Sequence, residues 1–338
     1  MRIDTSVSKI DPYSGGAGRR AAELEAAGYD GIWVGETNHD PALVLGDMAR
    51  STSRVEMGTA VMIAFARTPL LAAHTGYDMA GISRGRFILG LGSQVKPHIE
   101  RRYSMPWSHP ADRMREFVLA LRAIWASWHQ GETLNFRGEY YTHTLMPPFF
   151  QPERHEWGPP PVFLAGVGGR MTEVAGEVAD GFFMHPFTTR RYLDEVTMPA
   201  LARGKSKSGE ARDVLVIGGP SFVTVGRNDA EMQVAVQGTK AQIAFYASTP
   251  AYRPVLDLHG WGEVQSELTA LSKTGRWSEM AELITDEMVS EFSVIGEPST
   301  VGRDLRRKLA GIADRVSLYT PYQVAPGLLA ELVDALRP

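Results

Sequence analysis

The sequence contains no cysteine. Disulfide staples, cysteine nucleophiles and thiolate metal sites are therefore excluded, and the fold must rest on its core. Also missing is a run of about 20 apolar residues, the length a helix needs to cross hydrocarbon. The opening stretch Met1 to Ile10 breaks its short apolar positions with Arg2, Asp4 and Lys9, unlike the continuous apolar centre of a secretory signal. Charge of one sign is lacking too: 35 Lys plus Arg face 39 Asp plus Glu, for a net charge of -4. No basic block suggests a nucleic-acid surface. The expectation is a cytoplasmic enzyme that acts on a small molecule, with no membrane and no nucleic-acid partner.

What is present is material for one large core. The 338 residues are 43% hydrophobic, with 34 Gly and 21 Pro to punctuate them. Short apolar runs alternate with helical patterns, as in repeated βα units over a mostly parallel sheet. Eight strand candidates emerge: Arg2 to Val7, Gly31 to Val34, Val55 to Ile63, Phe87 to Leu91, Pro161 to Ala165, Phe182 to Met184, Val214 to Ile217 and Val316 to Tyr319. Several are apolar throughout, as fits parallel strands buried on both faces. Helices are read over Arg19 to Ala27, Pro69 to Ala80 and Asp112 to Trp128, the last on the spacing of Met114, Phe117, Val118, Leu121, Trp125 and Trp128. Asn228 and Glu231 have the separation of a capping box. Leu305 and Leu309 suggest a late helix whose Arg306, Arg307 and Lys308 read as a solvated face.

This pattern favours an α/β fold, a TIM (β/α)8 barrel, with its active site on the loops that follow the strands. A two-domain dinucleotide-binding fold is disfavoured, because no GxGxxG follows a strand and opens a helix. GxxxxGK[ST] is absent as well.

Five stretches carry a resemblance over almost the whole chain. They are GYDGIWVGETNHDP at Gly28 to Pro41, GTAVMIAFARTP at Gly58 to Pro69 and GRFILGLGSQVKPHIERR at Gly85 to Arg102. Later come PPPVFLAGVGGRMTEVAGEVADG at Pro159 to Gly181 and DRVSLYTPY at Asp314 to Tyr322. In order and spacing they resemble the luciferase-like monooxygenase superfamily, particularly its coenzyme F420-dependent oxidoreductases. The resemblance implies a bacterial luciferase-like barrel with an insertion after the seventh strand, accounting for approximately residues 227–297 of a single domain spanning 1–338. It further implies a homo-oligomer and a deazaflavin that exchanges hydride with a small organic substrate. FMN is the alternative cofactor; that reading makes the chain a monooxygenase supplied with reduced flavin by a flavin reductase. A non-catalytic cofactor-binding barrel is the third reading.

The candidate site follows from these stretches. Glu36, Asn38, His39 and Asp40 directly follow an apolar strand. His39 becomes the leading cofactor contact and proton carrier, and Glu36 its orienter or the acid/base itself. Caps on local turns are the competing role for Glu36 and Asp40. The resemblance puts a non-prolyl cis bond at Ala60 to Val61, beneath the cofactor ring. Ser93 and Gln94, after Gly90 and Gly92, are suited to hydrogen-bond a ring carbonyl or ribityl-like chain, and Lys96 to attract an acidic tail. Gly166, Gly168 and Gly169 before a helix form the phosphate candidate, with Arg170 as a charged addition. Phe65, Met184, Phe187, Phe222 and Tyr246 are candidate pocket walls. His109, His143 and His185 are left without an assigned direction, and no metal site is expected.

Overall fold

The computed structural model describes residues 1–8, 13–208 and 215–337. It divides into two compact units, one made of Arg2–Phe183 with Ala200–Val216, the other of Met184–Pro199 with Ile217–Pro338.

In the first unit six strands run parallel: β1 (Arg2–Val7), β2 (Gly31–Val34), β3 (Glu56–Thr59), β4 (Phe87–Gly92), β5 (Val162–Ala165) and β6 (Gly181–Phe183). Each pairs with the next, in registers such as Trp33 with Gly58, Met57 with Phe87, and Leu89 with Val162. β2 and β4 are buried along their whole length, which explains their unbroken apolar sequences. The buried Trp33 ring donates its indole N–H to Asp4 at 2.9 Å. Helices Gly16–Ala26, Pro41–Arg50, Pro69–Ile82, Pro110–His129 and Gly169–Val178 separate the strands. Three of these begin with proline at the first helical position, where its missing N–H costs nothing. Residues 200–205 return to this unit and lie tightly on Gly169–Val178. A Cβ on Gly176 would sit 2.2 Å from the Leu201 carbonyl oxygen, and one on Gly204 would sit 1.9 Å from that of Glu173.

The second unit is built on β7 (Pro220–Val225), which pairs in parallel with β8 (Arg315–Tyr319) and with the short strand Val294–Gly296. Between β7 and β8 the chain forms helices Asp229–Ala247, Arg253–Leu258, Gly262–Lys273, Trp277–Glu282 and Asp286–Phe292. Asn228 caps the first of them by accepting the Glu231 amide at 3.0 Å, as its spacing predicts.

Two sequence expectations need correction. The strand expected over 214–217 appears as Val216–Gly218, with Val214 outside the described residues, and β7 follows it after Gly219. Gly219 has φ of 137°, and a Cβ there would meet the Met184 carbonyl oxygen at 2.5 Å, so the chain kinks where the sequence reads Gly-Gly-Pro. Lys308 does not belong to a solvated face. Its ammonium donates to the carbonyls of Glu291 and Phe292 at 2.8 and 3.0 Å, and burial pushes its pKa down to about 8. Among the described residues no helix is long and apolar enough to cross a membrane.

Candidate active site

Parallel pairing of β2, β3, β4 and β5 puts their C-terminal ends side by side. At ~4.8 Å per strand, these four exits cover about 14 Å of one edge. The residues leaving that edge are Gly35 to Asp40, Ala60 and Val61, Ser93 and Gln94, and Gly166 to Arg170.

The first two exits are tied together. Ala60 donates its amide to the Val34 carbonyl at 2.9 Å, and Glu36 donates its own to the Val61 carbonyl at 3.1 Å. The Ala60–Val61 peptide is cis, and the chain continues as the short strand Met62–Ile63 beside β4. Glu36 Oε2 accepts from the Ile63 amide at 2.8 Å and from Arg67 Nη1 at 2.7 Å. Arg67 Nη2 reaches Asp40 at 2.9 Å, while Asp40 Oδ1 accepts the Ala42 amide and caps Pro41–Arg50. Burial opposes the charge on Arg67, yet its bonds to Glu36 and Asp40 outweigh it and hold the guanidinium above its usual pKa. Glu36 is therefore occupied in positioning the Ala60–Ile63 segment, and the cap expected of Asp40 is present. Arg67 is the residue that sequence reasoning missed.

His39 differs from its neighbours. It is half-buried, its ring meets Tyr13 edge-on at 5.8 Å, and its nitrogens have no hydrogen-bond partner among the described residues. Ser93 and Gln94 are turned inward on their own loop: Ser93 Oγ donates to the Gln94 carbonyl, and Gln94 Oε1 accepts the Val95 amide, each at 3.0 Å. Lys96 is exposed and faces Glu100 at 3.8 Å.

The last exit opens a helix without a side-chain cap. Gly168 is the N-cap of Gly169–Val178, and a Cβ on either Gly168 or Gly169 would meet nothing within 4 Å. The first amides of a helix lack intrahelical acceptors and carry the positive end of its dipole, so this exit can receive an anion. Arg170 faces elsewhere, donating to Asp112 at 2.7 Å and Glu173 at 3.0 Å. Its side chain is half exposed and shared between those two carboxylates.

The other unit carries a separate polar group. His185 is half-buried; its Nδ1 accepts the Phe187 amide at 3.1 Å and its Nε2 lies 3.0 Å from the Tyr252 hydroxyl. Burial pushes its pKa down to about 3 and that of Tyr252 up to about 12. Tyr246 and Tyr319 pair through their hydroxyls at 3.1 Å. Of the expected pocket walls, Phe187 and Phe222 belong to the packed core of this unit, with Tyr246 at its margin. Phe65 and Met184 are buried as well. His109 adopts a left-handed conformation before Pro110–His129, and His143 keeps a buried Nε2 with no partner among the described residues.

The profile of the family described as luciferase-like monooxygenase matches residues 7–315. An uncharacterized protein of Mycobacterium tuberculosis is 51% identical over 296 residues, covering 88% of this chain and 87% of its own. The 5,10-methylenetetrahydromethanopterin reductase of Archaeoglobus fulgidus is 27% identical, covering 82% and 81%. Among solved structures, the coenzyme F420-dependent tetrahydromethanopterin reductase of Methanopyrus kandleri superposes with a TM-score of 0.76 at 18% identity, covering 99% of this chain and 97% of that one. That likeness gives the fold as the TIM barrel of luciferase-like enzymes.

Proposed function

The chain belongs to the luciferase-like monooxygenase family, and we propose that it is an oxidoreductase exchanging hydride between coenzyme F420 and a small organic substrate. The observation that carries this reading is the open, uncapped helix start at Gly168 and Gly169 on the same strand edge as Glu36, His39 and the Ala60–Val61 segment. F420 is preferred over FMN because the relatives matched by sequence over most of their length include a putative coenzyme F420-dependent oxidoreductase of Mycobacterium tuberculosis. When bound, a deazaflavin supplies a carbon that accepts or donates hydride, chemistry no side chain provides.

The protein's own residues do the rest. The amides of Gly169 and its neighbours hold the cofactor phosphate. Ala60 and Val61 back the ring, held in place by Glu36 and Arg67. His39, whose nitrogens have no hydrogen-bond partner among the described residues, holds or moves the proton that accompanies hydride exchange. Ser93 and Gln94 act through the backbone that their side chains brace. Residues 227–297 form the insertion between β7 and β8.

Absorbance titration with F420 and FMN side by side tests the assignment. Preferential F420 binding is expected, followed by hydride exchange in a single turnover that slows in His39→Ala while F420 affinity holds. Binding of FMN with rejection of F420 would move the chain to the monooxygenase reading. F420 binding with no exchange for any small substrate would leave a non-catalytic binding barrel.

A further inference from the structure

We propose that Arg102 is a positioning residue for His39: reaching across from the exit of β4, it pins the backbone of the β2 exit and so fixes the direction in which the imidazole is presented. The proposal deepens the oxidoreductase reading and rests on it for any effect on hydride exchange. The pinning itself can be measured without cofactor.

The connection from Gly35 to Asp40 is held differently at its ends and in its middle. Near each end a carboxylate ties it down. Glu36 Oε2 accepts from the Ile63 amide and from Arg67, and Asp40 accepts from Arg67 and from the Ala42 amide. In the middle, Thr37 and Asn38 are exposed, and their side chains bond to each other at 2.9 Å. His39 meets the Tyr13 ring but makes no hydrogen bond through its nitrogens among the described residues, so its direction follows the backbone that carries it. The tie that reaches this stretch from another strand exit is the bond from Arg102 Nη2 to the Thr37 carbonyl, across 65 residues of sequence.

Arg102 is exposed, yet it stands on a fixed base. The short helix Lys96–Arg101 is anchored by Ile99, which is fully buried. The amides of Arg102 and Tyr103 both donate to the His98 carbonyl at 3.0 Å, and the Met105 amide donates to the Ile99 carbonyl at 3.0 Å. Between them Ser104 turns the chain with φ of 54°. The guanidinium lies over the Tyr103 ring, 4.9 Å from its centroid, which narrows the directions open to it. A planar, always charged donor on such a base holds a carbonyl in one place. Holding the residue beside a proton carrier raises the share of time that the carrier faces its target, so loss of the tie should cost rate and spare cofactor affinity.

The test removes the donor and keeps the stem, as Arg102→Met. Diethyl pyrocarbonate modifies imidazole nitrogens, and peptide mass mapping reads each of the nine histidines separately, the other eight serving as reference. In the cofactor-free protein, His39 of Arg102→Met should label about 3-fold faster or more than in wild type, as its connection opens more often. Arg102→Lys, which keeps a charged donor, should restore most of the wild-type rate. With F420 bound, Arg102→Met should slow single-turnover hydride exchange about 5- to 10-fold, the effect of one hydrogen bond, while F420 affinity holds. It should slow nothing further in the His39→Ala background if Arg102 acts through His39. Unchanged His39 labelling in Arg102→Met, an equal slowing in the His39→Ala background, or a loss of F420 affinity in place of rate would overturn the proposal. Failure of wild type to bind F420 would remove the oxidoreductase reading, while the labelling of the cofactor-free protein still decides whether Arg102 pins His39.

Discussion

Two glycine-rich strand exits resemble each other in sequence and differ in what surrounds them. At the end of β4, a Cβ on Gly90 would lie 1.9 Å from the Thr59 carbonyl oxygen, and one on Gly92 would lie 2.5 Å from the Val61 side chain. After β5, Gly168 and Gly169 face open space. Glycine in the first exit lets the protein close on itself; Thr59 Oγ1 bridges the Gly90 amide and carbonyl at 3.0 and 2.7 Å. Glycine in the second leaves room for something that is not protein. The lesson is that a glycine run marks close approach without saying whose atoms approach.

Substitutions can break that contrast. Gly90→Ala carries the largest expected effect, a loss of about 3 kcal/mol in urea unfolding, because the obstacle is backbone and cannot swing away. Stability within ~0.5 kcal/mol of wild type would show the exit to be slack. Arg67→Met should cost about 2 kcal/mol by leaving Glu36, whose side chain is 9% exposed, without its cation. The figure is set below that of a fully buried pair because the Asp40 arm of the network is half exposed. Loss of F420 affinity in the same variant would show that the placement of the Ala60–Ile63 segment depends on this ion pair.

A pH titration extends the comparison to the other unit, where the polar group is held neutral. His185 has a folded pKa of about 3 against 6.5 for the free side chain, so the unfolded chain binds the extra proton between those values. Stability should therefore fall by about 1.4 kcal/mol per pH unit as pH drops from 6.5 toward 3. His185→Gln should flatten this slope in unfolding experiments run at several pH values. An unchanged slope would place the acid sensitivity elsewhere. The smallest effect on stability is expected from Gly168→Val, within ~0.5 kcal/mol, since its φ of -99° and ψ of 146° suit valine and its Cβ meets nothing. Its F420 affinity should nevertheless drop about 10-fold or more, an energetic loss of ~1.4 kcal/mol, as the new side chain fills the anion position.

Sequence made the repeating architecture readable where the physics is local. The apolar runs of β2 and β4 predict strands buried on both faces, and Asn228 with Glu231 predicts the cap that forms. β7 escaped because Gly219 and Pro220 mask its start, although Phe222 to Val225 are apolar enough to form a strand. At the site, strand exits were legible as positions; the occupation of each side chain was not. Glu36 reads as an acid/base candidate, and its bond to Arg67, 31 residues away in sequence, has no local signature. His185 meets Tyr252 across 67 residues of sequence, and no local pattern encodes such a pairing.

The glycine contact between residues 200–205 and Gly169–Val178 bears on how the molecule is made. When Phe183 leaves the ribosome, the unit built on β1 to β6 still lacks the segment that covers Gly176. That segment is translated only after Met184–Pro199, which belongs to the other unit. No single cut in the gene can therefore release either unit whole. A split version of this protein would need its break inside a surface loop of one unit rather than at the boundary between them.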